Sequence, residues 1–284
     1  MFKILSKEQL NSETCLVEFH APDIAAAAGP GQFLVLRVDE KGERFPLTIH
    51  DMDPERGTVS VVCQAVGVST RKLCSLGEGG HVADIAGPLG HRVSGAGYGK
   101  VIVVGGGVGV AEAYPVARLF AGNGSEVEVI AGFRTKELVL CEKELKEFCR
   151  EVHVTTDDGS YGRKGFVTDV LGGLLTKKKY DLAFVVGPVA MMKAVSGMTL
   201  SENLETRVSL NALMVDGTGM CGCCRILYGG EKRFACYDGP DFDASKVDFE
   251  DLGRRVSSYV EKERQALEHK CRIGLVPPSA GRGK

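Results

Sequence analysis

The sequence predicts a β-barrel, then a doubly wound α/β domain, then a small cysteine-rich region, and three observations support this order. Short runs of alternating apolar and polar residues, separated by turns, fill roughly the first hundred residues. Continuous apolar runs, each followed by a helical pattern, fill roughly the second hundred. Four cysteines then crowd between residues 221 and 236. A chain of 284 residues, 44% of them hydrophobic, can build two or three such units.

The barrel is predicted from five short strands, at residues 14–20, 32–38, 45–50, 58–65 and 81–85. Strands of this length and spacing favour a small antiparallel barrel. The sequence Gly-Pro-Leu-Gly at 87–90 and the glycine-rich stretch 94–99 interrupt the pattern, so they predict a linker.

The pattern changes at residue 100. The run 101–104 is apolar throughout, which is typical of a strand buried on both faces of a parallel sheet, and a helical stretch follows to residue 120. Alternation of such strands and helices predicts a doubly wound domain. Further strands are predicted at 127–132, 153–156 and 182–187, helices at 137–150, 189–198 and about 249–270, and a disordered tail at 276–284.

Charge and hydropathy exclude several classes of partner. The net charge is −2 and the pI is about 6.3, so the chain lacks the basic surplus that binds nucleic acid or anionic membranes. The first seven residues become charged before a signal-peptide core could form, and no apolar run approaches the roughly 18 residues of a membrane span. The protein is therefore expected in the cytoplasm, with neither nucleic acid nor membrane as a partner.

The crowded cysteines predict an iron-sulfur cluster. Plant-type two-iron clusters use the spacing Cys-x4-Cys-x2-Cys with a distant fourth cysteine. Asp216, Cys221, Cys224 and Cys236 reproduce this spacing, with a carboxylate in the first position and Cys223 as a possible alternative ligand. Three glycines in the loop permit the left-handed backbone that such a wrap needs. The alternative is a structural zinc held by the same three cysteines and one further group.

Two glycine motifs predict a nucleotide site at the carboxyl edge of the sheet. The sequence Gly-Gly-Gly-Val-Gly leaves a strand and opens a helix, so that Gly105, Gly107 and Gly109 would let backbone N–H groups approach a pyrophosphate. Gly187 and Pro188 place a second glycine and helix start at the same edge. The alternatives are a simple tight turn for the first motif and an ordinary loop with proline at a helix start for the second.

Two motifs in the barrel predict a flavin site. An arginine and a hydroxyl on one strand, near a helix opened by glycine, could hold a flavin pyrophosphate through charge-assisted and backbone hydrogen bonds. Taken singly, each motif also fits an ordinary strand end or helix cap. The motifs are Arg44-Phe45-Pro46-Leu47-Thr48 and Gly67-Val68-Ser69-Thr70.

Taken in order, these motifs resemble the ferredoxin-NADP reductase superfamily over nearly the whole chain to about residue 245, with Glu112 where much of the superfamily has proline. The two-iron loop narrows the resemblance to electron-transfer subunits like that of dihydroorotate dehydrogenase. Residues 214–222 and 234–240 are more similar still to the small subunits of NADH-dependent reduced ferredoxin:NADP oxidoreductases, also described as sulfide dehydrogenase subunits. In that type an aspartate replaces the first cluster cysteine. The dihydroorotate type keeps four cysteines, so Asp216 argues against it.

The resemblance implies a division of the chain. Residues 1–97 would form the FAD-binding barrel, 98–208 the NAD(H)-binding domain, 209–245 the 2Fe-2S segment and 246–275 a C-terminal helix. FAD would be held by 44–48 and 67–70, the nucleotide by 105–109 and 187, and the cluster by the four ligands named above.

The implied function is electron transfer within a heterodimer. Hydride would pass between NAD(H) and FAD and single electrons between FAD and the cluster, which would face a larger flavin and iron-sulfur subunit. The implied complex performs flavin-based bifurcation between NADPH, ferredoxin and NAD, with ferredoxin reached only through the partner. The protein would supply no catalytic acid or base. The alternatives are a dihydroorotate dehydrogenase or hydrogenase electron-transfer subunit, or a non-redox nucleotide-binding module stapled by zinc.

The sequence favours NADH over NADPH. Proteins that bind NADP place serine and arginine just beyond the relevant strand, whereas this chain has Asp157 there. A carboxylate repels the 2′-phosphate and can bind ribose hydroxyls. Arg134 is the opposing observation, because an arginine could accept that phosphate.

Overall fold

The computed structural model describes residues 1–95 and 97–272, and its first part is a nearly closed antiparallel barrel of seven strands. The barrel elements are β1 (Phe2–Gln9), β2 (Thr14–His20), α1 (Pro22–Ala27), β3 (Phe33–Arg37), β4 (Arg44–Asp53), β5 (Thr58–Gln64), α2 (Val68–Ser75), β6 (His81–Val82) and β7 (Asp84–Leu89). The strand order is β6-β1-β2-β5-β4-β3-β7. Alternation builds its core, since Cys15, Val17 and Phe19 of β2 are all fully buried.

The second part is a seven-stranded α/β sheet, as predicted. Its elements are β8 (Lys100–Gly106), α3 (Gly109–Gly122), β9 (Glu126–Phe133), α4 (Glu142–Lys146), β10 (Glu151–Thr156), β11 (Arg163–Lys164), α5 (Val167–Leu175), β12 (Leu182–Val186), α6 (Val189–Ser201) and β13 (Glu205–Ser209). The order is β11-β10-β9-β8-β12-β13, all parallel. An antiparallel strand from the C-terminal region, Asp241–Asp243, completes the sheet beside β13.

The third part carries the crowded cysteines. It contains a hairpin of β14 (Arg225–Tyr228) and β15 (Glu231–Phe234), the short helix α7 (Ala235–Asp238), the sheet strand just named, now β16, and the helices α8 (Phe249–Ser257) and α9 (Val260–Arg272). Its buried residues Cys224, Ile226 and Cys236 belong to the same core cluster as Val208 of the sheet and Phe33 of the barrel. The cysteine segment therefore packs against both larger parts.

Three elements differ from the sequence-based expectations. Strand β7 continues through residues expected in a linker, because Leu89 pairs with Phe33 of β3. The helix expected at 137–150 is a 3-10 turn followed by the short α4, since Cys141 between them adopts a left-handed φ of 59°. The expected C-terminal helix is divided into α8 and α9 by a turn at 258–259. The expected tail at 276–284 lies outside the described residues.

Strand β1 and helix α1 were not predicted. In β1 only Ile4 is fully buried, so its alternation is faint in the sequence. Among the described residues, no helix combines the length and the apolar character that crossing a membrane requires.

Candidate functional site

The glycine loop after β8 forms a tight bend at the carboxyl edge of the sheet. A Cβ at Gly109 would lie 2.8 Å from the carbonyl oxygen of Val186, so only glycine lets α3 start this close to β12. Gly107 has a φ of +58°, and a Cβ built there would meet no atom within 4 Å. The backbone at Gly107 is thus open to a ligand at the start of a 14-residue helix, which fits the predicted pyrophosphate site.

The second glycine motif meets the first. Gly187 has a φ of +152°, and a Cβ there would lie 3.0 Å from the backbone nitrogen of Gly106. Pro188 is the N-cap residue of α6. The two motifs converge where β8 separates β9 from β12, at the switch point where ligands bind in open α/β sheets.

The two residues that bear on nucleotide choice lie just beyond strand ends. Asp157 is exposed after β10, and its backbone N–H donates to Phe133 of β9 at 3.0 Å. Arg134 follows β9, and its guanidinium pairs with Glu13 of the barrel at 3.3 Å. Arg134 therefore has a carboxylate partner in this structure, whereas the Asp157 side chain faces solvent.

The predicted flavin motif lies along β4. Thr48 pairs with Phe33 and Pro46 with Val35, both of β3. Arg44 is exposed, and it forms no ion pair within the described part of the chain. Its charge is thus available to an anionic group such as a pyrophosphate.

The second barrel motif opens α2, which has eight residues. The hydroxyl of Thr70 accepts the backbone N–H groups of Gly67 at 2.9 Å and Val66 at 3.1 Å. This side chain caps the helix, as the alternative interpretation anticipated. The fit of this motif to an anion rests on its remaining backbone N–H groups.

A contact between the two large parts was missed by the sequence analysis. The Thr48 hydroxyl donates to the Glu112 carboxyl at 3.0 Å, which joins β4 to the first turn of α3. Two more polar contacts flank it: the His50 Nδ1 lies 2.8 Å from the Ala111 carbonyl oxygen, and Arg118 pairs with Asp51 at 2.5 Å. Glu112 was noted only as a departure from proline, because sequence spacing does not show which strand a helical side chain reaches.

Burial changes the pKa values of Glu112 and His50 at this junction. It raises the pKa of Glu112 above the ordinary value of a glutamic acid, against the opposing effect of the Thr48 hydrogen bond. It lowers the pKa of His50, against the hydrogen bond to Ala111. Desolvation disfavours the charged form in each case.

The cysteine loop brings two of its four predicted ligands into contact. The Sγ atoms of Cys224 and Cys236 lie 3.1 Å apart, and each residue is 2% exposed. Cys221 is exposed, and Asp216 is half-buried, with a carboxylate that accepts hydrogen bonds from the hydroxyl and backbone N–H of Thr218. The structure thus places Asp216 in the loop without joining it to the sulfur pair.

The backbone of the loop has the predicted conformation. Three of its glycines have positive φ: Gly217 at +83°, Gly219 at +85° and Gly222 at +68°. A backbone hydrogen bond from Gly219 lowers the pKa of Cys236, but burial and the Cys224 thiol outweigh it and raise that pKa to about 12. A buried thiol pair that receives backbone donors suits metal binding, which replaces the thiol protons.

The loop also rests on the barrel. A Cβ at Gly217 would lie 2.7 Å from a methyl carbon of Leu89 in β7 and 2.9 Å from one of Val35 in β3. Val35 is the β3 residue paired with Pro46 of the flavin motif. One strand of the barrel therefore lies between the two predicted redox sites.

Comparisons with known proteins match two segments of this chain to known families. Residues 211–248 match the family described as the iron-sulfur cluster binding domain of dihydroorotate dehydrogenase B, and residues 103–197 match the oxidoreductase NAD-binding domain. A Thermotoga maritima homolog of the dihydroorotate dehydrogenase B (NAD(+)) electron transfer subunit is 41% identical over 94% of each chain. An uncharacterized protein of Clostridium beijerinckii is 45% identical over 94% of this chain and 93% of its own.

A solved structure is similar throughout. It was described in work on flavin-based electron bifurcation by NADH-dependent reduced ferredoxin-NADP oxidoreductase. Its matching chain is 40% identical, with a TM-score of 0.90 over 95% of this chain and 97% of the other. The likeness includes the barrel, the sheet and the cysteine segment, so the predicted fold class is confirmed.

Proposed function

The chain belongs to the family of electron transfer subunits that includes those of dihydroorotate dehydrogenase B, and from this premise we propose that it is the small subunit of an NADH-dependent reduced ferredoxin:NADP oxidoreductase. It is an oxidoreductase subunit with FAD, NAD(H) and a 2Fe-2S cluster as cofactors. When bound, these groups supply the electron chemistry, with a pair of electrons exchanged between nicotinamide and flavin and single electrons between flavin and cluster.

The observation that carries the proposal is the convergence of three sites around the strand pair β3 and β4. Strand β4 holds the flavin motif and contacts the nucleotide helix through Thr48 and Glu112. Strand β3 pairs with β4 and contacts the cysteine loop through Val35 and Gly217. On this assignment the flavin site would lie between the nucleotide site and the cluster site, which is the order that a relay needs.

Residues of this chain would bind each cofactor. Arg44 would bind the flavin pyrophosphate by charge, with Pro46, Leu47 and Thr48 along the same strand and the backbone of 67–70 at the start of α2 as further contacts. The glycine loop 105–109 and Gly187 with Pro188 would bind the dinucleotide. Cys221, Cys224 and Cys236, with Asp216 in the first position, would hold the cluster.

The spread of the cysteine ligands favours two irons over one zinc. A tetrahedral zinc gathers its four ligands within about 4 Å of one another. Within the described part of the chain, three metal-binding atoms lie within 4.8 Å of one another only at Glu128, Glu151 and His153, and not in the cysteine loop. A two-iron cluster distributes its ligands over two metals, so it accepts the wider loop.

Asp216 favours this type of complex over the dihydroorotate type. Several relatives are named as dihydroorotate dehydrogenase B electron transfer subunits or their homologs, which makes that type the second candidate. That type keeps a cysteine as the first cluster ligand, where this chain has Asp216. The two candidates differ in the partner subunit.

The face of the cysteine loop would meet this partner. Met220 and Tyr237 beside the loop are 89% and 65% exposed, and Val215 is 52% exposed. Apolar side chains grouped around a redox loop suit contact with a second protein. We place the larger flavin and iron-sulfur subunit there, with ferredoxin bound by that subunit.

The deciding experiment is an anaerobic visible and electron-paramagnetic-resonance spectrum before and after NADH, with iron, zinc and flavin counted on the same sample. We expect flavin bands that NADH bleaches and a reduced two-iron signal. Zinc without flavin would contradict the proposal. Purification from the native cell, followed by peptide identification, separates the two candidates, since a dihydroorotate dehydrogenase catalytic subunit as partner would favour the second.

A further inference from the structure

We propose that Glu112 is a positioning residue for the bound flavin, because its carboxyl sets the direction in which the Thr48 hydroxyl offers its proton. The inference rests on the proposed function, since Thr48 belongs to the predicted flavin motif. It goes further in giving a role to a residue of the nucleotide helix, outside every motif considered above.

The contact is held in place from both sides. Glu112 lies in the first turn of α3, three residues after Gly109, and reaches Thr48 at 3.0 Å. The next contacts along the same helix and strand are His50 with the Ala111 carbonyl and Arg118 with Asp51. These two contacts fix α3 against β4, so the Glu112 carboxyl has little freedom to leave the hydroxyl.

The hydroxyl can offer only one proton. An ionised carboxylate can only accept hydrogen bonds, so the Thr48 hydroxyl donates to it. The hydroxyl can then act only as an acceptor toward any other group. A protonated carboxyl can donate to Thr48 instead, which frees the hydroxyl proton for an acceptor. A single proton on Glu112 therefore decides whether Thr48 acts as an acceptor or as a donor.

The flavin ring offers a hydrogen-bond acceptor when it is oxidised and a hydrogen-bond donor when it is reduced. Reduction places an N–H where the oxidised ring has a lone pair, so a neighbouring hydroxyl that can reverse its direction matches both forms. A hydroxyl with a fixed direction would favour one form and shift the reduction potential.

The surroundings allow Glu112 to change its protonation. The titratable groups facing this junction are His50 and Asp51 on β4 and Tyr114 and Arg118 on α3, with Cys141 and Glu144 at the start of α4 acting on Tyr114 and His50. Arg118 is paired with Asp51, and burial favours the neutral form of His50. Within the described residues Glu112 has no ion-pair partner, and burial raises its pKa above the ordinary value of a glutamic acid. The carboxyl is therefore not locked in the ionised form by a neighbouring cation.

The test measures the flavin midpoint potential of the FAD-loaded chain against pH. We expect a change of slope in the wild type at the pKa of Glu112. Glu112→Gln should lose this change and follow the acidic limb of the wild type throughout, because its amide can always donate to Thr48. Thr48→Val should also lose it, and Thr48→Ser should keep it. Asp51→Asn removes a charge at the same junction but leaves an oxygen that can accept from Arg118 and leaves His50 on the Ala111 carbonyl, so it should keep the change of slope as well.

Infrared difference spectra of the same samples should show a protonated carboxylic acid band that is lost in Glu112→Gln. An identical potential curve in wild type and Glu112→Gln, both loaded with FAD, would overturn the inference alone. Failure of the wild-type chain to bind FAD would overturn the proposed function with it.

Discussion

The Sγ atoms of Cys224 and Cys236 lie 3.1 Å apart across the base of the β14–β15 hairpin, and the backbone N–H of Cys236 points to the Cys224 sulfur at 3.4 Å. The hairpin brings the two together, since Cys224 precedes its first strand and Cys236 follows its second. Both residues are buried among apolar side chains. Neither thiol of the pair is solvated, and a bound metal would supply the interactions that water no longer provides.

Replacing Cys224 by serine should abolish the cluster. The substitution removes one sulfur of the buried pair, so we expect nearly all iron and sulfide to be lost while flavin content stays unchanged. Cys223→Ser is the matched control, because Cys223 lies outside the pair and its carbonyl accepts from Arg255 at 2.9 Å. Iron analysis and visible spectra check this. Wild-type iron content in Cys224→Ser would show that Cys224 is not a ligand.

Replacing Asp216 by cysteine should keep the cluster and change its spectrum. Thiolate is a softer ligand than carboxylate, so charge transfer to iron should shift the visible bands. Asp216→Ala should lower iron content, whereas Asp216→Cys should retain it. Visible and electron-paramagnetic-resonance spectra measure both. If the spectrum of Asp216→Cys is identical to that of the wild type, Asp216 does not bind iron.

Nucleotide preference should depend on Asp157. Asp157→Ser removes the charge that repels a 2′-phosphate, so we expect the ratio of kcat/KM for NADH to that for NADPH to fall about tenfold, or about 1.4 kcal/mol. Asp158→Asn is the control, since Asp158 binds Ser160 in its own turn. Steady-state diaphorase assays measure the ratios. Selectivity of the wild type for NADPH would instead indicate that Arg134 binds the 2′-phosphate.

The close approach of α3 to β12 should make Gly109 intolerant of a side chain. Gly109→Ala would place a methyl group 2.8 Å from the Val186 oxygen, so the helix or the strand must move. We expect a loss of about 1–3 kcal/mol in the free energy of unfolding and weaker NADH binding. Gly122→Ala, at the open far end of the same helix, should be neutral or stabilising by up to about 1 kcal/mol. Urea denaturation and NADH titration measure both.

Stability should depend on pH through Asp241. Burial raises its pKa to about 6 against the attraction of Arg207, and its side chain is only 11% exposed. Because the folded state binds the proton more tightly than the unfolded chain, this stabilising contribution is complete below about pH 4 and is lost as the pH rises through about 6. The loss amounts to at most about 3 kcal/mol.

Asp241→Asn should remove this part of the pH dependence and stabilise the chain at pH 7. Arg207 keeps Glu205 as a partner in that variant. Unfolding curves in urea between pH 4 and 8 give the measurement. An unchanged pH profile in the variant would mean that Asp241 titrates as it does in the unfolded chain.

The sequence predicted most of the parts and few of the contacts between them. Continuous apolar runs and glycine motifs are strong local signals, so β8, α3 and the cysteine loop were predicted near their observed positions. Strand β1, which has three charged residues among its eight and buries only Ile4 fully, lacked such a signal. Contacts such as Thr48 with Glu112 depend on how two domains are docked, and residues 64 positions apart carry no local pattern that shows it.

Strand β16 has a kinetic consequence. The chain returns from the cysteine loop directly into the sheet, where Phe242 pairs with Val208, and the Leu210 N–H donates to the Pro240 carbonyl at 2.9 Å. The His91 N–H of the segment after the barrel also donates to Gly239 at 2.7 Å. A cluster-binding loop that is anchored at both ends stays fixed relative to the sheet and the barrel, so it does not move toward its electron donor. Electrons would therefore cross a gap of constant width by tunnelling, at a rate indifferent to solvent viscosity.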